Sequence, residues 1–166
     1  MRKLFPAVSP LILLMLLLFF CGLTPGVQAQ NAVSLNVRGI GIGATYPQVT
    51  RRFGKPMSSS EGGENPCGGK KLVLRYPGLV FTLDGETSLR YFTVVAIEVT
   101  SPKYPVASTI GVGASLAKVR SKLGRKNELT KEAGGQKLSY PVRDGFADFH
   151  FRKNKLVKTV WEMNLC

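Results

Sequence analysis

The side chains that could carry chemistry are few. The chain has one histidine, His150, which alternates with Asp148 and Arg152 in a segment of strand-like pattern. An acid–base role needs a nucleophile or a set of metal ligands beside the imidazole, and the sequence locates neither. One histidine with cysteines in separate elements is not a zinc spacing, so the three polar residues read as one wet strand face. Gly39, Gly41 and Gly43 do not follow the G-x-G-x-x-G spacing of a dinucleotide loop, and no βαβ unit follows them. The expectation is no enzyme, no metal and no cofactor. Trp161, Phe149 and Phe151 alternate as core residues do, rather than as a ligand platform.

The remaining chemistry is charge. There are 23 Lys and Arg against 10 Asp and Glu, a net charge of +13. Arg51, Arg52 and Lys55 cluster in one helical segment; Lys118, Arg120, Lys122, Arg125 and Lys126 cluster in a second. These eight are the candidate anion- or partner-binding residues, suited to lipid head groups, acidic polysaccharide or an acidic protein. The competing reading is a solvated helix face.

The first residues decide where that charge would act. Arg2 and Lys3 precede an unbroken apolar run from Leu11 to Phe20, followed by Pro25, Gly26 and the small residues Val27 and Ala29. This is the pattern of a signal peptide, residues 1–29, cut between Ala29 and Gln30. The run is too short for a bilayer span, which takes about 20 residues. Phe20 before Cys21 disfavours a lipoprotein. Cleavage leaves 137 residues with a net charge of +11, and an exported protein is kept from nucleic acid. Cys67 and Cys166 remain, and in an oxidising compartment they read as one disulfide. Two free thiols, or pairing between molecules through Cys166, are the alternatives.

The elements that must position these groups repeat. Gly41-Ile42-Gly43-Ala44-Thr45 and the residues to Lys55 match, seventy positions on, Gly111-Val112-Gly113-Ala114-Ser115 to Arg125. In each copy Thr45 or Ser115 is a good N-cap, and Gln48 supplies a capping box in the first. Val49 with Phe53, and Val119 with Leu123, share a helical face. Gly54 and Gly124 suit the residue after the helix. Downstream, Lys71–Tyr76 is matched to Lys137–Val142, Phe81 to Phe149, and Ile97 to Trp161 in period-two patterns. Ser58–Gly69 reads as an exposed loop and Ser101–Pro105 as the join. The fold class expected is α+β: two repeats, 30–103 and 104–166, each a short helix (or helices) packed on an antiparallel sheet of three strands.

The stretch Gly43-Ala44-Thr45-x-x-Gln48-Val49-x-x-x-Phe53-Gly54-x-Pro56 resembles the signature of the SmpA/OmlA (BamE) family of outer-membrane assembly lipoproteins. Two such units in tandem resemble the β-lactamase-inhibitory protein fold, in which both halves contribute to one sheet with helices on one side. The resemblance implies fold rather than function. The expected function is a non-enzymatic exported binding or scaffold module of the cell envelope. Its partner would be an envelope protein or an anionic envelope component, with membrane association at most peripheral. The alternative is an inhibitor of a secreted or periplasmic enzyme.

Overall fold

The computed structural model describes residues 35–64, 68–107, 109–124, 127–142 and 145–164. Helix α1, Tyr46–Phe53, is followed by strands β1 Ser58–Glu64, β2 Lys70–Tyr76 and β3 Leu79–Gly85. A 3-10 turn, Leu89–Tyr91, then leads to β4, Thr93–Val99. Helix α2, Leu116–Leu123, is followed by β5 Glu128–Glu132, β6 Gly135–Val142, β7 Gly145–Arg152 and β8 Lys155–Met163. All eight strands form one antiparallel sheet in the order β1-β2-β3-β4-β8-β7-β6-β5.

Local chemistry explains the helices. Pro47 sits in the first turn of α1, where its missing N–H costs nothing. The Thr45 backbone N–H donates to Gln48 Oε1 at 2.7 Å, and in α2 the Lys118 N–H donates to Ser115 Oγ at 3.2 Å. Gly54 and Gly124 close the two helices with φ of 77° and 85°, a left-handed conformation that side chains resist. Val49 and Val119 are both wholly buried.

The alternation of the strands sets the two faces of the sheet. Leu72, Leu74, Leu79, Phe81, Leu83 and Ile97 point to the helix side of the first four strands. Leu138, Phe149, Phe151, Leu156 and Trp161 do so in the other four, and with Val49 and Val119 they form one core. The segments before the helices meet through bridges between Val37, Ile40, Val106 and Ile110, all buried in that core.

This corrects the expected fold class. Strands dominate, each helix has only eight residues, and there is a single sheet rather than a pair of repeats each with a helix packed on its own sheet. The physical reason is coverage. Four strands span nearly 20 Å at about 4.8 Å each, while a helix is about 10 Å wide. Pairing β4 with β8, from Ala96↔Glu162 to Val99↔Thr159, removes two open edges and merges the apolar faces.

Two further expectations change. The segment Ser58–Gly69, expected to be a loop, contains β1, which pairs with β2 from Ser58↔Arg75 onward. Strand β5 is likewise additional to the three strands expected in its half. Both are edge strands, and residues 58–63 and 128–132 are exposed on both faces, so no alternation marks them. The strand match is also displaced by two residues. Tyr76 corresponds to Tyr140, not to Val142: the Tyr76 hydroxyl donates to the Gly54 carbonyl at 3.0 Å, and that of Tyr140 to the Gly124 carbonyl at 2.8 Å. Each tyrosine also meets a phenylalanine edge-on, Phe81 and Phe149 respectively. The β6–β7 hairpin runs past its tyrosine through Pro141↔Phe146 and Val142↔Gly145, whereas the β2–β3 hairpin turns at once after Tyr76↔Leu79. Matching the turns instead of the tyrosines produces the displacement.

These tyrosines yield a prediction. Burial raises the ionisation of both above the usual tyrosine range; Arg120 and Asn127 partly offset this at Tyr140. A phenol whose folded pKa is raised contributes fully below its unfolded value and loses that contribution as pH rises through the folded one. Stability therefore falls in the alkaline range above the ordinary tyrosine pKa. Tyr76→Phe and Tyr140→Phe should each cost about 1 kcal/mol at neutral pH, from the lost hydrogen bond. The double variant should show a flatter alkaline decline in urea midpoint; a slope equal to wild type would reject this account.

Candidate functional site

The basic candidates divide by environment. Arg51, Arg52 and Lys55 are exposed at the end of α1 and just beyond it. The Arg52 Nε donates to the Arg38 carbonyl at 2.8 Å, and the Arg38 guanidinium lies 5.1 Å over the Tyr104 ring, a cation–π distance. Arg38 thus joins the first cluster, although it stands thirteen residues before Arg51 and belongs to no run of cations. On α2, Lys118 and Lys122 are exposed. Arg120 is half-buried and turns inward: its guanidinium lies 3.4 Å from Asn127 Oδ1, and its Nε is buried without a hydrogen-bond partner. It belongs to the packing around Tyr140 rather than to the surface. Arg125 and Lys126 lie outside the described residues, as do the 1–29 segment and both Cys67 and Cys166.

The acidic residues are placed elsewhere. No Asp or Glu occurs in residues 1–60 or 99–127, the stretches that contain both helices and the segments leading into them. By register, Asp84, Glu98, Glu128, Glu132, Asp148 and Glu162 lie on the face of the sheet opposite the helices. The helices themselves thus carry cations alone and the open face mixed signs, with Glu61 of edge strand β1, in register with Leu72, an acid on the helix side of the sheet. The absence of acids from these stretches is plain in the sequence itself, but a count of Lys and Arg clusters alone passes over it.

On the open face the opposite charges pair. Lys137 Nζ is 3.4 Å and the Ser139 hydroxyl 2.6 Å from the two oxygens of Asp148. His150 Nδ1 is 2.9 Å from Glu132 Oε2, and Lys158 Nζ 3.9 Å from Glu98. As expected from alternation, Asp148, His150 and Arg152 share this face. A cleft of about 430 Å³ lies beside His150, lined also by Glu132, Arg152 and Lys158; neither Asp148 nor a hydroxyl side chain lines it. Ser139 gives its hydroxyl proton to Asp148 rather than to His150, so serine and histidine are not arranged as nucleophile and base. Trp161, Phe149 and Phe151 lie in the core. Among the described residues no group of three or more His, Cys, Asp or Glu converges on a metal position, and no helix is long and apolar enough to cross a membrane.

No family model matches the chain, and no curated protein is similar to it. Among solved structures, it is similar to an extracellular protein containing an SCP domain from Bacillus anthracis, at 16% identity and a TM-score of 0.49. That match covers 74% of this chain and 44% of the other. A cysteine-rich secretory protein from Staphylococcus aureus gives 13% identity and a TM-score of 0.48 over 74% and 43%. The chain thus spans less than half the length of both. A DUF4309 family protein from Bacillus subtilis gives 14% and 0.46 over 76% and 84%. Likeness at this level carries no functional assignment, and none of the three is an SmpA/OmlA or β-lactamase-inhibitory protein.

Proposed function

We propose that this chain is a non-enzymatic, exported binding module of the cell envelope, and that its helix layer engages an anionic envelope component. One observation carries the reading: both helices and their approaches contain exposed cations and no acid, while on the other face Asp148, Glu132 and Glu98 each lie beside a basic neighbour. A face that is merely solvated gains nothing from excluding one sign; mixed signs serve solubility equally well. A face that meets a polyanion gains from each cation and loses with each acid.

The test is retention on acidic polysaccharide and on phosphatidylglycerol vesicles across a salt series. Binding that falls steeply with salt and disappears when Lys118 and Lys122 are reversed is the expected result. Salt-insensitive binding, or none to any polyanion, would remove the reading.

Export belongs to the same proposal. The mature form is expected to begin at Gln30 and to carry a Cys67–Cys166 bond, whose loop would stabilise the chain by about 4–5 kcal/mol in the chain-entropy model. The intact mass of protein recovered from the envelope checks both features. Retention of residues 1–29 would refute cleavage, and two alkylatable thiols would refute the bond.

A further inference from the structure

The two hairpins that end each half of the sheet differ in a way the core does not require. Strands β7 and β8 turn through two residues, Lys153 and Asn154, both at positive φ (47° and 60°), the economical form of a hairpin. The corresponding connection between β3 and β4 is longer, and its residues Glu86–Tyr91 are all exposed. Phe92 fixes the turn at its base: the side chain is 5% exposed, its N–H donates to the Leu89 carbonyl at 3.2 Å, and its carbonyl accepts from Tyr46 at the start of α1 at 2.9 Å. The turn is thus anchored in the core at one residue and joined to the first helix.

Beside the polar Glu86, Thr87 and Ser88, its tip presents two large apolar side chains outward. Leu89 is 50% and Tyr91 57% exposed, and the Arg90 guanidinium stacks 4.5 Å over the Tyr91 ring and hydrogen-bonds its hydroxyl. Leucine and tyrosine with a flanking arginine are a combination suited to the boundary of a bilayer. The ring rests at head-group level with its hydroxyl toward water, the leucine enters the acyl region, and the arginine reaches back to phosphate. An exposed apolar residue alone would mean little. Here the turn is an addition relative to its counterpart, it contributes no buried side chain between Glu86 and Tyr91, and it adjoins an acid-free helix layer.

We infer that the Leu89-Arg90-Tyr91 turn inserts into the interface of an anionic lipid bilayer while the basic helices face the head groups. This rests on the anionic-surface reading above and narrows it to lipid. Two weak signals acting together are what stable peripheral attachment requires.

The experiment uses the whole protein with vesicles containing phosphatidylglycerol, and with phosphatidylcholine vesicles as the neutral arm. Trp161 is the single tryptophan and is 1% exposed, so it gives a constant background for a Tyr91→Trp reporter. The reporter should shift to the blue on binding and be quenched by lipids brominated along the acyl chain. Leu89→Ser/Tyr91→Ser should weaken partitioning about tenfold, the equivalent of partial burial of two apolar side chains. Its salt dependence and unfolding midpoint should stay those of wild type. If the protein binds the vesicles while the reporter neither shifts nor is quenched, or the double variant binds as wild type, insertion is wrong and the charge reading survives. Retention by acidic polysaccharide without vesicle binding likewise overturns the lipid assignment alone. Failure to bind either polyanion overturns both.

Discussion

Phe81→Ala and Phe149→Ala should each destabilise the protein by about 3–5 kcal/mol, from lost burial and the cavity left behind. Both rings are wholly buried on the helix side of the sheet, and each meets a tyrosine edge-on, so neither site can collapse without disturbing a helix terminus. Total stabilities of domains run to about 5–15 kcal/mol, so each change removes a large fraction. The form of the transition matters as much as its position. Because β4 and β8 pair and the apolar residues of both halves belong to one core, either variant should unfold in a single step. Trp161 fluorescence, reporting the junction opposite Ile97, should coincide with loss of far-UV dichroism. A Phe149→Ala variant that unfolds in two steps, one at the wild-type midpoint, would mean that the halves are separate cooperative units after all.

The parts of this fold that are legible in the sequence are those whose signals are local. Thr45, Gln48, Gly54, Ser115 and Gly124 satisfy or terminate backbone groups within one turn of themselves, and all of them occupy those places. The strands buried on one face and wet on the other show it by alternation, as in Phe81 with its neighbours Val80 and Thr82. Strands β1 and β5 are illegible because exposed edges place no demand on side-chain type: Ser58-Ser59-Ser60 is held by its pairing with β2, 13 to 17 residues along the chain. That the two halves share a sheet depends on a β4–β8 ladder whose partners are 60 to 66 residues apart, and no local pattern encodes it. The same division holds for the candidate site. Clusters of Lys and Arg are visible, but the inward turn of Arg120 toward Asn127 and Tyr140 is not, since its spacing on α2 equals that of its exposed neighbours. The Leu89–Tyr91 turn is inconspicuous because it carries no repeat and no period; only its contrast with the tight turn at Lys153 and Asn154 sets it apart.

Reversing Lys118 and Lys122 to glutamate should reduce binding to an anionic surface by up to about a thousandfold at low salt. The pair changes net charge by four, and each basic residue at such a surface contributes about 1 kcal/mol. Screening beyond a Debye length of about 8 Å at physiological ionic strength should shrink the difference as salt rises. The fold should tolerate the change, because its two parts act oppositely on α2. Position 118 is the third residue after the Ser115 cap, where glutamate can return a hydrogen bond to the cap and favours the positive end of the helix. Position 122 is in the last turn, where the negative charge costs about 0.3–1 kcal/mol. Arg120 is left intact, since reversal there would report on packing. The control is Arg75→Glu with Arg152→Glu, two exposed residues on the open face that alter net charge by the same amount. If the helix layer is the contact, the control should keep most of the affinity and the α2 pair should lose it. Equal losses in both would mean that net charge alone attracts the protein, with no face preferred. Equal retention in both would remove electrostatics from the binding altogether.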